Sequence, residues 1–312
     1  MSRIPFFSVA AESWQFASQA FDGHKKSYQL KRQWRSFLAA LIHPKMAGEW
    51  FRTLKSPDFI LVSQHRPQLY FKPFRVYMSI GWTSAQKIKV ILDTYRFIKS
   101  KGETFKEVLT SNNGVEIARW QLNDSMEGTL KLGYHEMHRK EGELVLFFEC
   151  EQLGGTIGTI AFSFEEMTSE KWVCRIACVQ GHLFGKSDST KKVQKLLHGL
   201  RPKSFMVFAV QELSRHLGLN AVYGAGDSIH PYRRQHTIHI HKLHNIQFDY
   251  DAFWLESAGQ RNPDGWYELP LIMVKKDIQD IDSNKRALYR RRYSMLDELS
   301  LKIADGVKKI IE

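Results

Sequence analysis

The stretch GTLKLGYHEMHRKEGELVLFFECEQLGGTIGTIAFSFEE, residues 128–166, decides the fold. Its apolar residues recur mostly at every second position, and Glu-Gly and Gly-Gly pairs interrupt them. A period of two is typical of strands, and glycine pairs are typical of the tight turns between antiparallel strands. The flanking segments VEIARWQL (115–122) and KWVCRIACV (171–179) continue the pattern. We therefore predict an antiparallel meander.

Helical patterns surround this meander. In residues 27–43, SYQLKRQWRSFLAALIH, apolar side chains recur at helical spacing before Pro44 ends the helix: Leu30, Trp34, Phe37, Leu38 and Leu41. We expect this apolar face to pack on the body of the protein, with a membrane-surface helix as the alternative. Residues 202–218 and the tail from Lys275 also read as helices.

The order of these patterns predicts an α+β fold with a mostly antiparallel sheet, flanking helices and helical N- and C-termini. We expect a helical N-terminal region over 1–110, a mixed α+β core over 111–274 and a basic C-terminal helix over 275–312. The absence of a long linker or an internal repeat favours one integrated domain.

The charge balance points to an acidic partner. The 312 residues include 45 Lys and Arg against 33 Asp and Glu, a formal net charge of +12. Such a bias suits acyl carrier protein, anionic lipid or RNA. No apolar run approaches the roughly 20 residues that cross a bilayer, and no export signal is recognisable. We expect a cytoplasmic protein, with peripheral contact to the inner membrane as a further option.

Cysteine usage agrees with a cytoplasmic location. The three cysteines, Cys150, Cys174 and Cys178, are an odd number within strand patterns and do not form a disulfide framework. We interpret them as buried thiols. The alternation of a regular strand places Cys174 and Cys178 on the same face.

The loop after the last strand of the meander raises the question of phosphate binding. In VCRIACVQGHLFGKSDS, residues 173–189, Gly181 and Gly185 are separated by three residues. A nucleotide-binding P-loop requires four, so we exclude that motif. The polar run from Lys186 onwards has no apolar stripe and is expected to be an exposed connection. A looser backbone cradle for another phosphate, such as that of coenzyme A, stays open.

Residues 173–224 follow the order strands, glycine loop, amphipathic helix and strand. This order resembles the acyl-CoA-binding half of GCN5-related acetyltransferases. The resemblance implies an acetyltransferase-like core, in which a splayed strand exposes backbone amides and a pyrophosphate lies at the start of the next helix. The cofactor would be acyl-CoA or acyl carrier protein. The residues expected to bind it are Gln180, Gly181, Gly185, Lys186, Arg201, Lys203 and Ser204.

A second resemblance rests on four long segments in the same order. They are HGLRPKSFMVFAVQELSRHLGLNAVYGAGDSIH (198–230), FDYDAFWLESAG (248–259), GWYELPL (265–271) and IDSNKRALYRRRYSMLDEL (281–299). Together they closely resemble the VirK/YbjX family. The resemblance implies a bacterial cytoplasmic protein linked to virulence and to envelope properties, including tolerance of cationic antimicrobial peptides. It implies no reaction.

Two residues are candidates for acyl-transfer chemistry. His230 follows GAGDS at a strand end, where a neutral imidazole could take a proton from an amine or hydroxyl that attacks a thioester. Glu256 is the candidate that orients this base. The alternative for His230 is a structural histidine bonded to a backbone carbonyl.

Two other clusters carry competing hypotheses. The pair His239 and His241 could hold a metal ion, but an exposed strand face has the same pattern, and we assign no metal site. Arginines of the C-terminal helix could bind RNA or another anion, or could pair with the acidic residues that flank them: Arg286, Arg290, Arg291 and Arg292. The leading hypothesis is acyltransferase-like chemistry in envelope modification. The alternative is a non-catalytic regulator or adaptor that binds RNA or an envelope-assembly partner through its basic surface.

Overall fold

The computed structural model describes residues 6–111, 113–181, 187–232 and 248–312. Its helices are α1 (Phe6–Ala20), α2 (Lys26–Ile42), α3 (Pro44–Leu54), α4 (Ile60–His65), α5 (Ser84–Ser100), α6 (Glu103–Thr110), α7 (Ser187–Leu196), α8 (Pro202–His216), α9 (Tyr250–Glu256) and α10 (Ser283–Ile311). Its strands are β1 (Val115–Asn123), β2 (Met126–Gly133), β3 (Leu144–Cys150), β4 (Gly155–Thr168), β5 (Lys171–Gln180), β6 (Ala221–Ala225), β7 (Gln260–Arg261) and β8 (Trp266–Leu269). Short 3-10 helices cover Pro67–Phe74, Glu136–His138, Glu151–Leu153 and Asp227–Ile229.

The described chain divides into two compact units. The first contains the described residues of 6–77 and 82–88, and the second contains those of 78–81 and 89–312. In the first unit, α1 and α2 form a helical hairpin that closes through small side chains, including Ala17 and Ala40. Aromatic rings fill the rest of its interior, and Phe16 stacks on Tyr70 at 3.7 Å between ring centroids. Small residues at a helix interface allow close backbone approach.

The second unit is built on an eight-stranded sheet in the order β1-β2-β3-β4-β5-β6-β8-β7. Neighbouring strands are antiparallel except β5 and β6, which are parallel. Parallel strands need a long crossover, and α7 and α8 provide it. The predicted α+β class, with its mostly antiparallel sheet, flanking helices and helical termini, is confirmed.

Helices α8 and α10 cover one face of this sheet. The rings of Trp120, Phe148 and Phe205, from β1, β3 and α8, lie 4.8–5.6 Å apart between centroids. Helix α10 approaches β1 so closely that a Cβ on Gly306 would lie 1.7 Å from the carbonyl oxygen of Ile117. Only glycine permits this approach, which explains a helix-weakening residue within a long helix.

Two local predictions were wrong. The polar run after residue 186 forms helix α7 instead of an exposed connection. Cys174 and Cys178 point to opposite faces of β5, because a β-bulge separates them: Ile176 pairs with Phe162 and Cys178 pairs with Ala161. One extra residue in β5, Ala177, therefore shifts the alternation of its side chains.

Candidate functional site

Strands β5 and β6 separate after a short parallel ladder. Residues 173–176 of β5 pair with β4 on one side and with β6 on the other. Residues 178–180 continue the pairing with β4 but lie beyond the ladder with β6. Val179 directs its N–H to the hydroxyl of Tyr250, at 3.3 Å, and its carbonyl oxygen lies 3.5 Å from the same hydroxyl. The opening between the two strands thus leaves backbone groups of β5 without a described partner strand on this side, and the hydroxyl of Tyr250, from α9, contacts them instead.

Helix α9 is attached to the end of β6 by one hydrogen bond and is capped at its own N-terminus by another. The indole Nε1 of Trp254 donates to the carbonyl of Ala225 at 2.9 Å, and Asp249 caps the helix by accepting from Ala252 N at 2.8 Å. Gly224 makes the first contact sterically feasible, since a Cβ there would lie 2.4 Å from the Trp254 ring. These contacts fix the position of Tyr250, the first residue of α9.

The start of α8 lies at the carboxyl end of β5. A Cβ built on Gly181 would be 4.0 Å from Cε of Lys203, in the first turn of α8. The N-cap residue Arg201 makes no side-chain capping hydrogen bond. Backbone N–H groups at a helix start, together with two cations, provide the charge and the donors that an anion needs.

Lys203 occupies an unusual environment for a lysine. Its Nζ lies 3.0 Å from the centroid of the Phe248 ring. Burial is the main cause that lowers the pKa of Lys203 to about 8, and the nearby charge of Arg201 contributes in the same direction. An anion bound here would favour the charged form of Lys203, so ligand binding and lysine protonation should be coupled.

A buried polar cluster lies beside the opening, next to the carboxyl-terminal half of β5. Nδ1 of His138 is 2.5 Å from a carboxylate oxygen of Glu141, and Nε2 of His138 is 3.1 Å from the hydroxyl of Thr159. Cys178 completes the group, because the potential ligand atoms of His138, Glu141 and Cys178 all lie within 4.8 Å of one another. All three residues are buried, with at most 3% of their surface exposed.

Sequence reasoning missed His138 and Glu141. The available signal was Glu-Gly-Glu at residues 141–143, two carboxylates placed directly before an apolar strand. A carboxylate that is buried must be paired or hydrogen-bonded, and such residues often have a functional role. His138, Glu141 and Cys178 are also the described residues whose spacing suits a metal ion. The predicted ligands His239 and His241 lie outside the described residues.

Cys178 and Tyr250 are held in their neutral forms. Burial raises the pKa of Cys178 well above that of an ordinary thiol, and the carboxylate of Glu141 raises it further. Burial likewise raises the pKa of Tyr250 well above its usual range, with the neighbouring Cys178 contributing. Gln180 Nε2 and the Tyr250 hydroxyl lie 3.4 and 3.7 Å from the Cys178 sulfur. A protonated thiol is a poor nucleophile, so Cys178 in this environment is not activated.

His230 lies on the other side of Tyr250. The two rings stack at 4.5 Å between centroids, and His230 is 2% exposed. Its Nδ1 accepts from the backbone N–H of Tyr232 at 3.3 Å, so the neutral ring carries its proton on Nε2. His230 directly follows the 3-10 turn Asp227–Ile229, which comes after β6.

The other candidate site residues fall into three places. Gln180 ends β5 and Gly181 follows it, while Arg201 precedes α8 as its N-cap and Lys203 and Ser204 lie in its first turn. Glu256, at the end of α9, forms an ion pair with Arg201, and both side chains are 56% exposed. An exposed pair of this kind contributes about 0–1 kcal/mol to stability. Gly185 and Lys186 lie outside the described residues.

The arginines of α10 divide into two groups. Arg286 donates to the carbonyls of Ile281 and Gln279, and Arg292 donates to the carbonyl of His198. Both guanidinium groups therefore bind backbone carbonyl groups of the protein itself. Arg290 and Arg291 are exposed. The charges of Arg291 and Arg292, after burial, lower the pKa of His198, which indicates a positive field at this end of the helix.

A shallow groove adjoins the buried cluster. It has a volume of about 390 Å³ and lies over β2, β3 and β4. His138 and Thr159 line it together with Lys131, His135, Phe147 and Glu149. A small molecule with both polar and apolar groups is the kind of ligand that such a mixed lining suits.

No helix in the parts of the chain that the structure describes is both long and apolar enough to cross a bilayer.

The chain is 26% identical over 285 residues to "Uncharacterized protein YbjX" of Escherichia coli (strain K12), covering 90% of this chain and 84% of that protein. An "Uncharacterized protein" of Haemophilus influenzae Rd is 40% identical over 126 residues, which is 40% of each chain. A second protein of that organism, with the same description, is 34% identical over 129 residues, 41% of this chain and 42% of its own.

No solved structure matches the chain. The family profile of DUF535, described as a protein of unknown function, matches residues 25–305. This match covers most of the chain, and the similarity to YbjX covers 90% of it. The chain therefore belongs to the DUF535 family, which confirms the VirK/YbjX resemblance of its sequence.

Proposed function

We propose that this protein binds an acyl thioester, carried by coenzyme A or by acyl carrier protein, and transfers the acyl group in modification of the bacterial envelope. The observation that carries the proposal is the opening between β5 and β6, with the start of α8 at its mouth. A role in virulence and in tolerance of cationic antimicrobial peptides would follow from altered envelope chemistry. The three free, buried cysteines favour a cytoplasmic location.

The topology around the opening supports this proposal. The parallel pair β5 and β6 is joined through α8, and the chain then returns through α9 and the antiparallel strands β7 and β8. Strand, helix and parallel strand in this order are what the resemblance to the acyl-CoA-binding half of GCN5-related acetyltransferases implies, and the proposal rests on that resemblance. Helix α7 is an insertion relative to a direct strand-to-helix connection, so the phosphate contacts would come from α8.

The charges at the mouth suit the donor. Arg201 and Lys203 would contact its phosphates together with the first N–H groups of α8. The thioester arm would extend along β5, where the backbone of Val179 is now bonded to the Tyr250 hydroxyl. Binding would therefore displace Tyr250 or use its hydroxyl as a donor to the thioester carbonyl.

The proposed chemistry uses His230 as the base. The nitrogen or oxygen of the acceptor would attack the thioester carbonyl carbon, and the carbon–sulfur bond would break. The proton lost by the acceptor would pass to Nδ1 of His230, which must first lose its hydrogen bond from the Tyr232 N–H, and then to the leaving thiolate. For Glu256 we retain the role of orienting residue as a prediction; its ion pair with Arg201 also holds that guanidinium at the phosphate site.

The first test is donor binding. Coenzyme A, acyl-CoA and acyl carrier protein are titrated against the full chain, and the melting temperature is recorded. Ligand at 100 times its Kd should stabilise the fold by about 2.7 kcal/mol. Lys203→Gln should weaken donor binding about tenfold, because a charge-assisted contact is lost. Lys171→Gln, at the exposed opposite end of β5, is the matched control. An unchanged melting temperature with every donor refutes the proposal.

The second test separates binding from chemistry. His230→Gln should retain donor binding and lose acyl transfer to an amine acceptor, whereas Arg201→Gln should lose binding. Transfer is measured by release of free coenzyme A thiol. If His230→Gln transfers acyl groups at the normal rate, His230 is not the base.

The exposure of Arg290 and Arg291 favours one alternative, a non-catalytic RNA-binding regulator or adaptor. RNA affinity would then fall steeply with salt, and Arg290→Ala with Arg291→Ala would reduce the slope by about two. Arg292→Ala is unsuitable as a test because that side chain holds the backbone of His198. Salt-independent binding would exclude this alternative.

A further inference from the structure

The apolar stripe of α2 faces solvent. Leu30, Trp34, Leu38 and Ile42 recur every four residues, and they are 49%, 51%, 49% and 69% exposed. The side of α2 that packs against α1 carries the small residues Ser36 and Ala40, both buried. The expectation that the large apolar residues of α2 pack on the body of the protein is therefore wrong for Leu30, Trp34 and Leu38. Small residues close the hairpin, and the large ones stay outside.

Helices α1 and α2 contact each other through hydrogen bonds and aromatic rings, so the exposed residues of α2 belong to an ordered hairpin. Ser13 Oγ of α1 donates to Ser36 O of α2 at 3.1 Å. Trp14 contacts Trp34 and Phe37 edge-on, at 5.2 and 6.4 Å between ring centroids. The indole of Trp34 is thus supported on one side and exposed on the other, an arrangement that suits a boundary between water and an apolar phase.

The charge around this stripe has one sign. Between Gly23 and Gly48 the sequence has no acidic residue and six cations: Lys25, Lys26, Lys31, Arg32, Arg35 and Lys45. Lys31 and Arg35 are exposed on α2 beside Trp34 and Leu38. An exposed apolar stripe flanked by cations is complementary to a surface that is apolar beneath and anionic at its outer layer.

We infer that the exposed face of α2 docks on an anionic lipid surface. Leu30, Trp34, Leu38 and Ile42 would enter the boundary between headgroups and acyl chains, while Lys31 and Arg35 would contact the lipid phosphates. A second copy of this chain fits less well, because it would bring two strongly cationic segments together. RNA would use the cations but would leave the aliphatic side chains in water. The inference is independent of the acyl-donor proposal, whose assays contain no lipid.

The test is binding of the full chain to vesicles. Sedimentation with phosphatidylcholine vesicles is compared with sedimentation with vesicles containing phosphatidylglycerol. Anionic vesicles should bind the protein about tenfold more tightly or better. Trp34→Gln combined with Leu38→Gln should abolish this binding, and Lys31→Gln with Arg35→Gln should weaken it and reduce its dependence on salt. Leu301→Gln is the control, since Leu301 of α10 is an apolar side chain that is even more exposed, at 69%, and lies outside the stripe.

Two results would overturn the inference. One is equal or absent binding to the two kinds of vesicle. The other is a dimer in light scattering of the free protein that disappears in Trp34→Gln with Leu38→Gln, which would assign the stripe to a second copy. Circular dichroism and melting of each variant check that the hairpin still folds. Trp34 and Leu38 are about half exposed, and the buried small residues Ser36 and Ala40 that close the hairpin are unchanged, so folding should be retained.

Discussion

Cys174 and Cys178 lie on opposite faces of one strand although a regular strand would place them on the same face. Cys174 lies beside Ser214 of α8, whereas Cys178 lies beside Glu141. The bulge at Ala177 causes the change of face. It also brings Cys178 into the polar cluster next to the opening between β5 and β6. A single extra residue in β5 therefore helps to assemble the candidate site.

The two thiols should differ in how they respond to Glu141→Gln. Burial raises the pKa of Cys174 to about 12, and burial with the Glu141 charge raises that of Cys178 well above its ordinary value. In the native protein at pH 8, both should react with iodoacetamide at least about a hundredfold more slowly than in the unfolded chain. Glu141→Gln should speed the reaction of Cys178 alone. Peptide mass spectrometry measures both rates, and Cys174 is the internal control. Equal acceleration at both thiols would indicate general loosening instead.

The fold class could be predicted because its signals are local. The period of two over residues 128–166 and the glycine pairs between the segments specify an antiparallel meander, and the structure contains it. The bulge at Ala177 could not be predicted, since it depends on how β5 pairs with β4. The exposure of Trp34 has a similar origin. Periodicity identifies an amphipathic helix but not which of its faces a partner covers, and here small residues make the contact.

The candidate site was only partly accessible from the sequence. Gln180, Gly181, Arg201 and Lys203 could be grouped, because a strand end and the next helix start are expected to meet in a crossover. His138 and Glu141 could not be linked to Cys178, because they lie in and just after a 3-10 turn between β2 and β3 and reach Cys178 only after the sheet forms. Tyr250 was not recognised either, because an aromatic residue at a helix start usually indicates core packing.

Loss of the Glu141 carboxylate should destabilise the protein strongly. Glu141→Ala removes the partner that lies 2.5 Å from His138 Nδ1 and leaves that nitrogen buried without it. The expected cost is about 3 kcal/mol. Urea unfolding followed by tryptophan fluorescence measures it. Glu136→Ala, in the same turn but exposed, should cost at most about 1 kcal/mol. Similar losses for the two variants would show that the buried pair contributes little.

Lys203 should make stability depend on pH in the alkaline range. Its folded pKa, about 8, lies below its ordinary value of 10.5, so the unfolded chain holds a proton that the folded protein has released between these values. Stability from this group therefore rises with pH from about 8 to about 10.5 and is lowest below pH 8. Lys203 is part-exposed, so solvent screening limits the effect to the order of 1 kcal/mol.

The variant Lys203→Met isolates this contribution from other titrating groups. It should be more stable than the natural protein at pH 7, and the difference should shrink as the pH approaches 10. Lys171→Met, exposed at the opposite end of β5, should leave the pH profile unchanged. Urea unfolding at several pH values gives the two profiles. A constant difference between Lys203→Met and the natural protein at every pH would contradict the lowered pKa.

Replacing Gly306 by any other residue should destabilise the protein, although a residue with a side chain would normally stabilise the helix. Alanine favours an exposed helix interior over glycine by about 1 kcal/mol. In Gly306→Ala, however, the new methyl group would lie 1.7 Å from the Ile117 carbonyl oxygen, so α10 must move away from β1. We expect a loss of more than about 2 kcal/mol in the free energy of unfolding. Asp305→Ala, at the exposed neighbouring position, should change stability by no more than about 0.5 kcal/mol. If Gly306→Ala is as stable as the natural protein, α10 does not pack against β1 at this distance.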